Sequence, residues 1–502
     1  MTLASSQILN KQERLLLWLH FALILVVYAA TGYYSPGFDD EYFNMMVVDR
    51  YGTGVASYIL KTDAHPPLSY LINAWLYKIT GRWETIRMFS GMLTASAIIF
   101  TISKLGKNKG INFSLILIYL LALNPTLLMW GTSLRWYSYL LPVLIWSMVI
   151  PQNAKWHWSK LFFSVLVMGH IGHIIYFIFP SLFLYYWLKD PRETKIKSKA
   201  LLVPALLSLV LYIPQLINFF KYYLPRRGGQ TFSLSTSLLG TFSTNFSNQG
   251  LFPLSIPGLA AAMGTFIVII QLLKKLKNEW KEPYLFPFLA AQIVFLLSGI
   301  AGKMRNLFVT IPLQAIWFTE KFNATKSRWM MLAMGLIIYG NLVGTYNVIM
   351  HEDTTKNSWN LPVDQVKTFV LDKFKTDQSS VLIYCHDPII TWHLEKMGFP
   401  VRSIYANKEV NTKNKKINHV VVIWTHPGVI PKKTMELFRF EISLIKYSSQ
   451  SAYILGTDKY AGIKRKKEPT YPDELVKITL LNSPEQIASS SVWSPLFIKR
   501  FE

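Results

Sequence analysis

Cysteine is nearly missing from this chain, and charge is scarce. The single thiol in 502 residues, Cys385, excludes an internal disulfide framework and a multi-cysteine metal site, which leaves a buried structural thiol as its simplest reading. Charged residues make up 16%, where soluble proteins carry about 25%. No Gly-rich phosphate loop is present, so dinucleotide binding has no support. No internal repeat or low-complexity tract stands out either. Of the charged groups, carboxylates are the scarcer, 28 against 52 Lys+Arg. Residues 1–350 hold 12 Asp+Glu against 30 Lys+Arg, a net +18, whereas residues 351–502 hold 16 against 22, a net +6. The basic residues are dispersed between apolar runs, which argues against nucleic acid as a partner and for anionic lipid headgroups.

What the chain has instead is apolar length. Hydrophobic residues reach 51% and aromatics 15%, a balance that suits membrane spans with interfacial belts. A span needs about 20 residues. Runs of that kind fall at 15–33, 86–103, 111–130, 136–150, 158–173, 174–188, 200–220, 254–273, 284–301, 307–320 and 329–349, eleven in all. The first follows Lys11 and Arg14 without a small-x-small cleavage site, so it is expected to be an anchor rather than a signal peptide. Four basic clusters orient the set: Lys104 to Lys109, Lys189 to Lys199, Lys274 to Lys281, and Lys321 to Arg328. With eleven spans and a cytoplasmic N-terminus, all four lie in the cytoplasm, as the positive-inside rule requires. Residues 351–502 are then extracytoplasmic.

The expected organisation is a mainly α, polytopic transmembrane domain over 1–350 and a small extracytoplasmic α/β domain over 351–502. In the latter, helices at 362–375 and near 388–398 alternate with strands at Val381–Tyr384, near 400–405 and at Asn418–Trp424. Residues 221–250, rich in Gly, Ser, Thr and Asn, read as a long outer loop able to act as a lid.

Five of the twelve acids of the membrane part, Asp39, Asp40, Glu41, Asp49 and Asp63, fall within 25 residues of the first outer loop. A solvated loop would also hold acids, but their cost near a bilayer makes such a concentration a functional signal. Asp63-Ala64-His65-Pro66-Pro67-Leu68 closes that loop, and the two prolines can start the next helix and fix where His65 points. Further polar groups fall on the same face: Arg135 and Tyr137 at the head of the fourth span, His173 between the fifth and sixth, and Lys303 and Arg305 before the tenth. Taken singly, the arginines could snorkel to headgroups and His173 could be a core histidine. Together they gather carboxylates, histidines and arginines on one side of the membrane.

The ordered set Asp40-Glu41, Asp63-x-His65-Pro66-Pro67-Leu68, Arg87, Arg135-x-Tyr137, Gly172-His173 and Arg305 to Pro312 resembles the GT-C class of polyprenyl-phosphate-sugar-dependent glycosyltransferases. The nearest branch looks like the protein O-mannosyltransferases and lipid A aminoarabinose transferases. The likeness covers roughly residues 15–320. Two departures are visible. The family has one Asp before Glu and this chain has Asp39-Asp40-Glu41; the late Arg-Tyr of the family is Arg305-Asn306 here.

The resemblance implies an inverting hexosyl- or pentosyltransferase of the cell membrane. Its donor is a sugar on polyprenyl phosphate, and its acceptor is a hydroxyl of a glycan, glycolipid or protein. Asp40 is the implied base, with Asp39 one residue away as the competitor and Glu41 and Asp63 as neighbours that orient the acceptor or raise its pKa. Arg135 and Arg305, with Lys303 and His65, suit the lipid phosphate, since guanidinium binds phosphate oxygens in a bidentate way. Tyr137 and His173 join that donor set. No nucleotide and no obligatory metal are expected, although clustered acids can hold a divalent cation. The rival reading is a transporter or lipid flippase, whose signature is midplane charge, broken helices and paired halves. A membrane scaffold would need neither the acid loop nor the arginines.

Overall fold

The computed structural model describes residues 10–34, 39–63, 65–107, 109–149, 157–172, 183–184, 187–188, 199–218, 220, 256–273, 288–293, 308–324, 327–350, 363–376, 378–385, 388–402, 419–424, 451–457 and 476–481. By its contacts the chain divides into two units. One is Met1–Ser35 with Tyr51–Thr355; the other is Pro36–Arg50 with Lys356–Glu502.

The first unit is helical. Helix α1 (Lys11–Tyr34) starts with a capping box, in which Asn10 and Glu13 each accept the other's backbone N–H at 2.9 and 2.8 Å. Three described helices are long and apolar enough to cross a membrane: α1, α5 (Trp83–Gly106) and α14 (Arg328–Ile349). They coincide with the expected spans 15–33, 86–103 and 329–349. Helices α1 and α5 pack side by side. Their backbones come so close that a Cβ on Gly91 would stand 2.4 Å from the Tyr28 carbonyl oxygen. Small residues at such crossings let dispersion act between backbones where lipid supplies no hydrophobic drive. Large apolar side chains remain exposed along these helices, Trp18, Leu23 and Val26 on α1 and Trp329 and Met331 on α14, as a lipid-facing surface needs.

The expected span 111–130 is broken. Helix α6 (Gly110–Leu117) runs into a π-helical turn at Ile118–Ala122, and α7 (Pro125–Gly131) leaves at 59° to it. The Asn124 side chain accepts the backbone N–H of Thr126 at 3.0 Å and of Leu127 at 3.2 Å, which caps α7 behind Pro125. Two carbonyls at the break find donors on α14: Asn341 donates to the Tyr119 oxygen at 2.8 Å and Thr345 to that of Leu123 at 2.8 Å. In hydrocarbon a break survives only when neighbours take up its freed backbone groups.

Helices α8 (Trp136–Val149), α9 (His157–Ile171), α10 (Lys199–Leu211), α11 (Ile213–Asn218), α12 (Ile256–Leu273) and α13 (Ile311–Ala324) follow where apolar runs were expected. The runs 174–188 and 284–301 and the loop 221–250 fall mostly or wholly outside the described residues. Between α1 and α5 the chain is helical too, in α2 (Asp39–Tyr51), α3 (Val55–Thr62) and α4 (Leu68–Thr80). Helix α4 begins directly after Pro67, as the two prolines predict.

In the second unit a five-stranded sheet has the order β2-β1-β3-β4-β5. The strands are β1 (Val381–Cys385), β2 (Val401–Arg402), β3 (His419–Trp424), β4 (Ser451–Thr457) and β5 (Val476–Leu481). The first four are parallel and β5 runs antiparallel to β4. Helix α15 (Val363–Phe374) precedes β1, and α16 (Pro388–Lys396) makes the crossover from β1 to β2. Every side chain of β1 is buried, including Cys385, as a central parallel strand demands. The alternation of strand and helix expected for this region is present, extended by β4 and β5. Helix α2 is grouped with this unit although it stands close to α1 in sequence.

Candidate active site

Asp63 ends α3 in an extended conformation (φ −117°, ψ 153°), which turns its side chain away from the helix axis. Asn218, the last residue of α11, secures the corner by donating its amide to the carbonyls of Leu60 at 2.7 Å and Asp63 at 3.3 Å. One carboxylate oxygen of Asp63 accepts the backbone N–H of His65 at 3.2 Å and faces His65 Nδ1 at 2.9 Å. The other accepts the Tyr70 hydroxyl at 2.8 Å. Tyr70 sits in the first turn of α4, and Arg135 Nη1 donates to its oxygen at 3.3 Å. Four polar side chains thus form one chain: His65, Asp63, Tyr70, Arg135. Arg135 and Tyr70 are buried, while Asp63 and His65 keep 14% and 18% of their side chains exposed.

Burial alone would raise the Asp63 pKa. Its interactions with His65, the Arg135 guanidinium and the Tyr70 hydroxyl outweigh it and hold the carboxyl well below the usual carboxylate range. Tyr70 is pushed the other way, by burial first and then by the Asp63 charge. It therefore remains a protonated donor between the carboxylate and the guanidinium.

A second layer fixes the Arg135 corner. Asn73, one turn along α4 from Tyr70, donates to the Leu134 carbonyl at 2.7 Å. Its own amide oxygen accepts the Tyr139 hydroxyl at 2.5 Å, and Ser90 of α5 lies 3.4 Å from that hydroxyl. Tyr137 stands among rings, with Trp136, Trp130 and Phe308 centred 4.1, 5.1 and 5.5 Å away. Trp136 also lies against Gly172, where a Cβ would come within 2.5 Å of the indole. That contact explains why glycine precedes His173. Arg87 is buried within α5.

Of the residues singled out in the sequence, the first unit brings Asp63, His65 and Arg135 together. Asp39, Asp40 and Glu41 form the first turn of α2 in the second unit, and Glu41 is buried there. His173, Lys303 and Arg305 lie outside the described residues. Tyr70, Asn73 and Asn218 were not anticipated. Tyr70 stands seven residues after Asp63 and three after Pro67, so a helix started by the prolines carries it in its first turn; that was its available signal.

No family profile and no curated protein matches the chain in sequence. Solved structures do. The chain is similar to the crystal structure of ArnT from Cupriavidus metallidurans bound to undecaprenyl phosphate, at 10% identity, covering 92% of this chain and 97% of that one with a TM-score of 0.52. The apo crystal structure of the same ArnT gives 11% identity, the same coverage and a TM-score of 0.51. At this identity the likeness establishes the fold: a polytopic helical GT-C architecture, as the motif resemblance implied, with the small α/β unit expected from the strand and helix pattern of 351–502.

Proposed function

We propose that the chain is an integral membrane glycosyltransferase. It moves a sugar from a polyprenyl-phosphate carrier to an acceptor hydroxyl, with inversion. The observation that carries this reading is the continuous chain His65–Asp63–Tyr70–Arg135, in a fold shared with a protein crystallised with undecaprenyl phosphate. A buried guanidinium held by a phenol that a carboxylate fixes in turn is pre-oriented to receive phosphate oxygens. Asp63, kept ionised and fully engaged, orients His65 and Tyr70; its lowered pKa makes it a poor proton acceptor.

The base is Asp40. It takes the acceptor proton as the acceptor oxygen attacks the anomeric carbon. The carbon–oxygen bond to phosphate breaks, and polyprenyl phosphate leaves with the electron pair. Arg135 and His65, with Lys303 and Arg305, neutralise the leaving phosphate, and Tyr137 and His173 complete the donor set. The reaction needs no obligatory metal. The site and residues 351–502 face the extracytoplasmic side. A broken helix also occurs in transporters, but here the carbonyls of Tyr119 and Leu123 at the break are taken by α14 and are not open to a substrate.

The test is mass spectrometry of envelope glycans and glycolipids from cells with and without the protein. One sugar should be missing without it and restored by the wild-type chain. Asp40→Asn keeps the side chain's size and removes the base, so turnover should fall by at least about a hundredfold. Undecaprenyl phosphate binding by the purified variant should persist. Normal restoration by both Asp39→Asn and Asp40→Asn would overturn the reading.

A further inference from the structure

Helix α2, which carries Asp39, Asp40 and Glu41 in its first turn, ends in two charges of opposite sign, Asp49 and Arg50. Helix α16 of the same unit offers the complementary pair. Lys396 Nζ lies 2.8 Å from Asp49 Oδ2, and Arg50 Nη2 lies 2.5 Å from Glu395 Oε1. The Trp392 indole N–H donates to the same Asp49 oxygen at 3.2 Å. One face of the indole receives the Lys396 ammonium 5.6 Å from the ring centre. Further up α2, Tyr42 meets Trp392 edge-on at 5.6 Å and His393 at 5.7 Å. Tyr42 and Asp49 are two helical turns apart, so one side of α2 is engaged along its length.

These contacts join residues more than 340 positions apart in sequence. They are also directional. Two salt bridges with crossed signs, an indole hydrogen bond and an edge-on ring fix the rotation of α2 about its axis, which apolar burial alone would leave loosely specified. Rotation matters at the other end of the helix, because adjacent residues point about 100° apart. A turn of that size would exchange Asp40 for Asp39.

We infer that α16 is the positioning element of the catalytic carboxylates, and that the α/β unit takes part in the reaction by setting the rotation of α2 through Trp392, Glu395 and Lys396. This rests on the reading of Asp40 as the base. None of these three is a catalytic residue; each acts through α2.

The test uses the full-length protein in detergent or proteoliposomes and a charge exchange. Glu395→Arg should lower kcat about tenfold or more while undecaprenyl phosphate binding, read on the same preparation, stays within twofold. Arg50→Glu should do the same. The exchange Arg50→Glu with Glu395→Arg rebuilds the pair and should recover most of kcat, an outcome that simple loss of folding would not give. Asp40→Asn is assayed beside them. Unchanged kcat in both single variants, or a double variant no better than either, overturns the positioning role even when Asp40→Asn is inactive. Full turnover by Asp40→Asn would instead remove the base reading on which the inference stands, so the two failures are separable.

Discussion

The acids of residues 39–63 share one short stretch of sequence and end in two different surroundings. Asp63 belongs to the first unit and is closed off by near neighbours, with His65, Tyr70 and its own helix all within seven residues. The acids of α2 belong to the second unit, and the helix that carries them is held by Trp392, Glu395 and Lys396. The first group is held at its centre by residues within seven positions, with Arg135 and Asn218 of the same unit completing the network. The second depends on a domain at the far end of the chain. A carboxylate that only orients its neighbours can be wired locally. On the proposed reading, the α2 carboxylate that meets the acceptor is instead mounted on an element held by the distant α16.

The sharpest way to break this comparison is to remove the cation of the first group. Arg135→Ala strips a buried charge from the network and should weaken undecaprenyl phosphate binding by about 2–5 kcal/mol, the usual cost of truncating one partner of a buried charged pair. Arg135→Lys should recover only part, because an ammonium is a point charge without the planar fork. Binding is measured by isothermal titration or by competition with a labelled polyprenyl phosphate. Unaltered affinity in Arg135→Ala would take the phosphate role away from the first unit.

Tyr70→Phe asks a smaller question, whether the network is one object. The substitution keeps the ring and deletes the hydroxyl that bridges Asp63 and Arg135. It leaves one carboxylate oxygen short of a donor, which costs about 1–3 kcal/mol for a buried group. The thermal midpoint should drop and phosphate affinity should weaken with it. A fall in stability with no change in affinity would make Tyr70 a packing residue and cut the chain between carboxylate and guanidinium.

The legibility of these features follows the distance over which each is determined. Long apolar helices such as α1, α5 and α14 were readable because composition alone decides them. The start of α4 was readable because Pro66-Pro67 restricts the backbone on the spot. Asp63 and His65 were readable as a pair because they are two residues apart. The break between α6 and α7 was hidden inside an apolar run that reads as one span. Its Asn124-Pro125 is a fair helix start, but what stabilises the break comes from Asn341 and Thr345, more than two hundred residues on. Tyr70 looked like any aromatic in an apolar helix, and only the folded positions of Asp63 and Arg135 give its hydroxyl a purpose. The hold of α16 on α2 had no sequence signal, since Trp392, Glu395 and Lys396 look like an ordinary solvated helix face until α2 is laid against them.

The smallest effect concerns pH and asks whether the network around Asp63 is what holds its carboxylate ionised. The folded pKa of Asp63 is depressed, so its contribution to stability is fully present above the unfolded value and is lost as pH falls toward the folded one. An unfolded Asp titrates near about 3.9. Because the folded value lies well below that, protonation of the unfolded chain alone sets the early part of the loss. It amounts to about 0.3 kcal/mol at pH 4 and about 1.3 kcal/mol at pH 3. The control is Asp63→Asn, which cannot titrate and holds the same volume. The gap in thermal midpoint between the wild-type protein and Asp63→Asn in detergent should stay level between about pH 6 and pH 5, then narrow as pH falls below about 4. A gap that stays constant down to pH 3, or widens, would mean that Asp63 is not held ionised by its partners. The local network would then not be what keeps that carboxylate charged, and the contrast between the two groups would collapse.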